Sequence, residues 1–197
     1  MNTIVLASNN KHKIEEFKKI LNNYEILSLK DIGFTNDIIE DGNTFEENAL
    51  IKAKSIYNYL KEKNLDYMII AEDSGLCCES LNNAPGIYSA RYAKDHNDQA
   101  NRDKVIKELQ NKGKKAFFVS GIILLKNNND YQYFEGKTYG KIIDEERGSK
   151  DFGYDCIFLS DDLNKTFGEA TNEEKNKVSH RARAIKKLVE YLKESHN

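Results

Sequence analysis

The start of the chain alternates apolar and polar segments in the order strand, loop, helix. Residues 3–7 (TIVLA) form a short apolar run, which predicts a buried strand. A polar turn at 8–10 follows, and apolar residues then recur at helical spacing, at Ile14, Phe17, Ile20 and Leu21. The pattern therefore predicts a strand that leads through a loop into a helix.

The next segment repeats this order. Residues 25–29 predict another strand, and an acidic loop separates it from a predicted helix at 45–61. The residues that share the predicted buried face of this helix are Ala49, Ala53, Ile56, Tyr57 and Leu60.

The middle of the chain is richer in strand patterns. Residues 67–71 (YMIIA) are continuously apolar, which is typical of a central strand covered on both faces. A helix is predicted at 99–110, and apolar runs at 116–125 and 131–141 flank a polar turn and predict a β-hairpin. The last predicted element is a helix at 179–193. We therefore expect an α/β fold around a mixed sheet.

Composition narrows the class of protein. The chain has one proline, Pro85, and no linker rich in Gly or Ser, so we expect a single domain over residues 1–197. Lys and Arg number 30 against 32 Asp and Glu, and this balance disfavours a nucleic-acid-binding protein. Because no stretch approaches about 18 apolar residues and the start lacks a signal-peptide pattern, we expect a cytoplasmic protein that does not enter a membrane.

The three cysteines do not predict a covalent framework. Cys77, Cys78 and Cys156 cannot complete a set of disulfides, and the histidines near them lack the paired spacing of a zinc site. We expect all three thiols to be reduced and partly buried.

The first candidate site lies where the first strand gives way to the first helix, at Ser8, Asn9, Asn10, Lys11, His12 and Lys13. Backbone N–H groups and the positive end of the helix dipole meet there, which indicates an anion site. The Lys13 ammonium could follow a phosphate chain. An ordinary helix cap at Asn9 or Asn10 with solvated lysines explains the same residues, and the glycine-rich phosphate-loop pattern is absent.

Acidic residues form the next candidates. Glu72, Asp73, Ser74 and Gly75 are expected directly after the most buried strand, where α/β proteins bind ligands, and a Mg²⁺ ion would compensate the adjacent carboxylates. A tight turn begun by Asp73 and Ser74 is the alternative.

The loop ahead of the second predicted helix carries further charges. Glu40 and Asp41 form another carboxylate pair, for which a solvated acidic loop is the alternative. Glu47 fits a capping box with Thr44 and is expected to reach back to the Thr44 amide. Lys52 is expected to point either to solvent or to a phosphate.

Aromatic and basic residues mark the last third of the chain. Phe152, Gly153, Tyr154 and Asp155 place two aromatics around a glycine, which suits stacking on a flat base, although core packing explains them equally well. A second group contains Lys175, His180 and Arg181. His180 and Arg181 open the final helix, too close to its start to be core by pattern, and cations there are disfavoured by the dipole unless something anionic or carbonyl-rich is bound.

Six motifs, in order and in register over nearly the whole chain, together resemble the inosine triphosphate pyrophosphatase family. They are SNNKHK at 8–13, EDGNTFEENA at 40–49, EDSGL at 72–76, APGIYSARYA at 84–93, DFGYDCIF at 151–158 and EEKNKVSHRARA at 173–184. The resemblance implies an elongated α/β fold with a central mixed sheet flanked by helices, two lobes enclosing an active-site cleft, and a homodimer.

The resemblance also implies roles for individual residues. It implies Asp73 as the catalytic residue, and Asp73 with Glu40 as ligands of Mg²⁺. It assigns Ser8, Asn9, Asn10, Lys11, His12, Lys13 and Lys52 to the triphosphate and Ser74 to the substrate. It assigns Phe152, Gly153, Tyr154, Asp155, Lys175, His180 and Arg181 to the nucleoside.

The implied reaction is hydrolysis of deaminated purine nucleoside triphosphates, ITP, dITP and XTP, to the monophosphate and pyrophosphate, which keeps them out of DNA and RNA. Two alternatives are a pyrophosphatase that acts on other modified or standard nucleotides and a non-catalytic nucleotide-binding regulator. The SHR and FGYD motifs argue against the first, and the presence of Asp73 and Lys13 argues against the second.

Overall fold

The structure is a computed structural model that describes residues 2–195. Its helices are α1 Lys11–Ile20, α2 Phe45–Glu62, α3 Asp98–Glu108, α4 Asn172–Val178 and α5 His180–Glu194. Its strands are β1 Asn2–Leu6, β2 Tyr24–Leu27, β3 Met68–Cys78, β4 Ala84–Pro85, β5 Lys115–Asn127, β6 Asp130–Ile142 and β7 Phe158–Ser160. Short 3₁₀ helices lie at Glu79–Leu81, Gly86–Arg91 and Asp155–Ile157.

The strands form a mixed sheet, as the sequence predicts. Their order is β2-β1-β3-β5-β6-β7, and β4 pairs with β3 outside this path. Strand β1 runs parallel to β2 and β3, whereas β3–β4 and β6–β7 are antiparallel pairs. The predicted hairpin is confirmed, because only two residues join β5 to its neighbour β6. The mixed α/β class is therefore confirmed.

One predicted boundary is wrong in a way that matters for function. The apolar run at 67–71 predicts a strand that ends at Ala71, but β3 continues to Cys78. Glu72, Asp73, Ser74 and Gly75 therefore lie inside a strand rather than in a turn after it. The short helix α4 and strand β7 have too few residues to show a periodic pattern, and neither is predicted from the sequence.

The chain clusters into two compact units. The first comprises the described residues up to Asp73, residues 121–135 and the described residues from Ala184 onward. The second comprises residues 74–120 and 136–183. Strands β3, β5 and β6 each contribute residues to both units. The expectation of a single domain over residues 1–197 stays a prediction.

The first unit has two hydrophobic cores, and β3 contributes to both. Ile70 packs in a cluster with Phe17 of α1 and Leu188 of α5. Its neighbours Ile69 and Ala71 pack in a different cluster, with α2. Because successive side chains of a strand point to opposite faces, α1 and α5 cover one face of β3 and α2 covers the other.

The second unit has one core. It combines apolar residues of α3 and of the strands with Tyr154, Cys156 and Phe167. Cys77, Cys78 and Cys156 form no disulfide within residues 2–195, and all three are buried rather than partly buried. No helix in the described part of the chain is long and apolar enough to cross a membrane.

Candidate functional site

Two adjacent carboxylates of β3 belong to opposite faces of the sheet. Asp73 continues the face of Ile69 and Ala71, which α2 covers, and Glu72 continues the face of Ile70, which α1 covers. The sequence suggested that the two carboxylates share one cation. The strand geometry instead gives each its own surroundings.

Glu72 is almost fully buried and has a lysine partner. Its side chain is 3% exposed, and Oε2 lies 3.7 Å from the Nζ atom of Lys13 in the first turns of α1. The β1–β3 register explains the contact, because Leu6 pairs with Ile70 and the loop after β1 therefore lies beside the next residues of β3. Lys13 thus compensates a buried charge.

Asp73 has a raised pKa. Burial raises the pKa of its carboxyl from 3.8 to about 6, the charge of Lys52 opposes this rise, and the charge of Glu40 adds to it. Oδ2 of Asp73 is buried and has no hydrogen-bond partner among the described residues. A buried carboxylate oxygen without a partner is costly unless a ligand or ion completes its surroundings.

Lys52 of α2 contacts three parts of this cluster. Its Nζ atom donates to the backbone carbonyl of Glu72 at 2.8 Å and lies 3.1 Å from Oε1 of Glu40, and its charge lowers the pKa of Asp73. The side chain is 18% exposed. Lys52 therefore points into the cluster, and the alternative of a solvated lysine is wrong.

Asn48 is a functional candidate that the sequence analysis missed. It is 2% exposed, its side chain hydrogen-bonds Asp73, and its Oδ1 accepts the backbone N–H of Gly42 at 2.8 Å. One amide side chain thus connects the proposed catalytic residue to the loop that carries Glu40. Buried asparagine on the first turns of an otherwise apolar helix face was the available signal.

The other acidic residues of this loop have minor roles. Asp41 is exposed to solvent, whereas Glu40 pairs with Lys52, so the two members of the predicted carboxylate pair have different surroundings. Thr44 caps α2 through the Glu47 N–H, as predicted. Glu47 accepts the amide of Asn43 at 2.6 Å, not that of Thr44, so the capping-box prediction is wrong by one residue.

At residues 8–13 the structure shows the helix cap that was the alternative reading, and the anion site stays a prediction. Asn10 is the N-cap of α1 and accepts the Lys13 N–H, and Ser8 Oγ accepts the Asn10 N–H. Asn9 Oδ1 accepts the Lys30 N–H at 2.8 Å. Because these side-chain oxygens act as acceptors inside the protein, each side chain offers a ligand its hydroxyl or amide donors. Lys11 and His12 are exposed beside them.

In the second unit, Lys175 lies between a carboxylate and aromatic rings. Its Nζ atom contacts Oδ2 of the buried Asp155 and lies 5.3 Å from the ring centroid of Phe152 and 5.7 Å from that of Phe167. Burial raises the pKa of the Asp155 carboxyl, and the charges of Lys175 and Arg181 oppose the rise. The structure therefore brings together four residues that the resemblance assigns to the nucleoside.

The two aromatics around Gly153 have different surroundings. Phe152 is 46% exposed, whereas Tyr154 is 5% exposed and its hydroxyl donates to the backbone carbonyl of Ser89 at 2.6 Å. Phe152 is thus accessible for stacking on a base, and Tyr154 is a core residue. Core packing therefore explains Tyr154, whereas stacking of Phe152 on a base stays a prediction.

His180 and Arg181 begin α5, and the Ser179 hydroxyl oxygen accepts the Ala182 N–H at the helix start. The expectation that His180 is not a core residue is wrong: it is 9% exposed, and its ring stacks on Phe118 with centroids 5.0 Å apart. Phe118 comes from the distant strand β5, so local sequence around His180 could not show this contact. Arg181 is half-buried and its charge acts on Asp155.

The remaining sequence-predicted residue is Ser74. It is half-buried within β3 and is the first residue of the second unit. Among residues 2–195 there is no group of three or more His, Cys, Asp or Glu side chains that could hold a metal ion.

Fold and site together define an α/β protein with a buried carboxylate among lysines and, in a second unit, an aromatic and cationic cluster. Comparison with known proteins identifies the family: residues 4–191 match the model of the Ham1 family, and the chain belongs to it.

Relatives and solved structures match along the whole chain. It is 46% identical over 200 residues to a protein of Clostridium perfringens named dITP/XTP pyrophosphatase, with 98% of each chain covered. A Bacillus subtilis protein of the same name is 43% identical over 198 residues, also with 98% of each covered. The structure of the Ham1 protein of Staphylococcus aureus matches with a TM-score of 0.89 and 38% identity, covering 98% of this chain and 100% of that one.

The raised pKa of Asp73 predicts a pH-dependent stability. The pKa of this carboxyl is near 6 in the folded protein and 3.8 in the unfolded chain. Its contribution to the free energy of unfolding is therefore fully present below pH 3.8 and is lost as the pH rises through 6. Between pH 4 and 7 the free energy of unfolding of Asp73→Asn should therefore rise relative to that of the unaltered protein by up to about 3 kcal/mol, at ~1.4 kcal/mol per unit of pKa. Urea unfolding in EDTA measures this. Asp41→Asn is the exposed control. If the free energy of unfolding changes with pH in the same way in Asp73→Asn and in the unaltered protein, the raised pKa of Asp73 is contradicted.

Asn48 gives a second prediction. Asn48→Ala leaves the Gly42 N–H without its acceptor and should cost about 1–3 kcal/mol in urea unfolding. Amide hydrogen exchange at Gly42 should become faster. Asn58→Ala, an exposed asparagine of the same helix, is the control. Unchanged exchange in Asn48→Ala would show that Asn48 does not hold the loop.

Proposed function

We propose that this protein hydrolyses deaminated purine nucleoside triphosphates, ITP, dITP and XTP, to the monophosphate and pyrophosphate. The observation that carries the proposal is Asp73, half-buried with a buried Oδ2 atom, beside Lys52, in a chain that matches relatives named dITP/XTP pyrophosphatase along 98% of its length. Its role would be to keep these nucleotides out of DNA and RNA.

The cluster around Asp73 suits the triphosphate. Lys13 pairs with Glu72 and Lys52 pairs with Glu40, and these contacts hold two ammonium groups in place. The donors of Ser8, Asn9 and Asn10 and the start of α1 add neutral N–H and O–H groups for phosphate oxygens. Lys11 and His12 are exposed beside these donors. Charge that develops on the phosphates is stabilised by such fixed groups.

Asp73 is the proposed catalytic residue. Without a bound cation, a pKa of about 6 leaves it mainly ionised at pH 7, the form that can accept a proton or a hydrogen bond. The Asp73 carboxylate would orient or deprotonate the attacking water. Asn48 holds the carboxylate in place during this step.

The donor set around Asp73 also fits Mg²⁺. This ion prefers hard oxygen ligands and uses one or two carboxylates together with substrate phosphates and water. Asp73, with its unpartnered buried oxygen, and Glu40, whose charge acts on it, are the proposed ligands. When bound, the ion would neutralise negative charge on the phosphates.

The cluster of the second unit suits the base. Phe152 offers an accessible ring for stacking, and Lys175, His180 and Arg181 offer donors to the 6-keto oxygen of hypoxanthine or xanthine. The 6-amino group of adenine donates where this oxygen accepts, so ATP would leave buried donors unpaired. Asp155 orients Lys175, and Gly153, Tyr154 and Ser74 complete the proposed substrate-binding set.

Three further properties stay proposals. Mg²⁺ dependence and a homodimer accompany the resemblance to the inosine triphosphate pyrophosphatase family, and a cytoplasmic location follows from the composition. No specific observation favours a pyrophosphatase for other nucleotides or a non-catalytic regulator.

The activity is tested by pyrophosphate release from ITP, XTP, dITP, GTP and ATP, with and without Mg²⁺. We expect turnover of the first three with Mg²⁺ and little with EDTA. Asp73→Asn should still bind ITP but lose about 100-fold or more in kcat, the loss typical of a removed general base. Asp41→Asn is the control. Retained turnover in Asp73→Asn would exclude the catalytic assignment.

Base selection is tested by Arg181→Ala. Loss of one charged donor should lower the ratio of kcat/KM for ITP over ATP by about 10- to 100-fold. Lys186→Ala, an exposed cation of the same helix, should leave the ratio unchanged. If Arg181→Ala keeps the preference for ITP, another residue distinguishes the bases.

A further inference from the structure

A buried arginine of α3 holds the backbone of the FGYD motif. Arg102 is 3% exposed, and its Nη1 donates to the backbone carbonyl of Gly153 at 2.7 Å. Its Nε donates to Oε1 of Glu146 at 2.9 Å, and its Nη2 donates to Oε1 of Gln99 at 3.0 Å. The guanidinium thus has a fixed place, with one of its donors directed to the motif.

The same helix also holds the other polar group of Gly153. The Gly153 N–H donates to Oδ2 of Asp98 at 3.1 Å. Asp98 and Arg102 are four residues apart and therefore lie on one face of α3. Both backbone groups of Gly153 are held by this face. Gly153 has a φ of +44°, a left-handed conformation that a residue with a Cβ atom would adopt only with strain.

The stability of the core does not by itself explain a buried arginine here. A buried ion pair commonly contributes no more to stability than apolar residues of similar size, because both charges lose their hydration. Burial opposes ionisation of Glu146, yet hydrogen bonds from Lys150, Gln99 and Arg102 lower its pKa to about 2, so the pair is ionised. What the ion pair provides here is a guanidinium that is held in place to donate to the Gly153 carbonyl.

Phe152 is the residue that needs such support. It precedes Gly153, its side chain is 46% exposed, and Lys175 lies over its ring. Tyr154 on the other side of Gly153 is packed in the core, whereas the place of the half-exposed Phe152 ring also depends on the backbone that carries it.

We propose that Arg102 and Asp98 are positioning residues that hold Gly153 from both sides and thereby place Phe152 for stacking on the purine base. The inference rests on the proposed function, since it concerns the base end of that substrate. Neither residue contacts the reacting phosphates in this account. Their loss should weaken base binding and leave the chemical step intact.

Steady-state kinetics with two substrates test this. Asp98→Ala and Arg102→Met should raise KM for ITP about 10-fold, the effect of one lost hydrogen bond of about 1.4 kcal/mol, and change kcat less than about threefold. Ribose 5-triphosphate, which lacks the base, should show an unchanged KM. Asp98→Asn keeps an acceptor for Gly153 and should restore the KM for ITP. Lys107→Ala, an exposed cation of α3, is the control.

A readout without nucleotide separates this inference from the proposed function. Amide hydrogen exchange at Gly153 should become faster in Asp98→Ala and be restored in Asp98→Asn, in a protein whose urea unfolding is otherwise close to that of the unaltered chain. Unchanged exchange, or equal changes in KM for ITP and ribose 5-triphosphate, would overturn the positioning role. If the unaltered protein hydrolyses none of ITP, XTP and dITP, the proposed function fails while the exchange result still decides whether α3 holds Gly153.

Discussion

The first unit depends on the compensation of two carboxylates within one sheet strand. A strand that carries Glu72 and Asp73 in its interior is stable only if both charges find partners, because unpaired charge inside a protein is expensive. Alternation along β3 sends them to opposite faces, where α1 supplies Lys13 and α2 supplies Lys52 and Asn48. The two helices that cover the faces of β3 thus also supply the groups that compensate its charges.

The sequence predicted most elements because their patterns are local. The helical spacing of α2 and α5 and the apolar runs of β1 and β5 carry their own signal. The end of β3 was missed because four residues that are not apolar, at 72–75, interrupt the apolar run, whereas the strand continues to Cys78 with help from lysines far away in the sequence. A periodic pattern of apolar residues does not reveal charge compensation between residues that are distant in the sequence.

The candidate site was predictable in its residue types and less so in their arrangement. Lys52 and Asp73 were proposed from motifs, but whether Lys52 faces solvent depends on Glu40 and on a backbone carbonyl of β3. Asn48 and Arg102 escaped notice because each works through the backbone of a glycine in another segment. The burial of His180 depends on Phe118, which is 62 positions away in the chain (180 − 118).

The contact between Gly42 and Asn48 has an evolutionary consequence. A Cβ atom at position 42 would lie 2.7 Å from Cβ of Glu47 and 2.8 Å from Oδ1 of Asn48, so even alanine would force the loop away from α2. An insertion between Glu40 and the start of α2 would break the same contact. Descendants of this sequence that keep the site should therefore vary freely at the exposed Asp41 but conserve both the glycine and the loop length, for steric rather than chemical reasons.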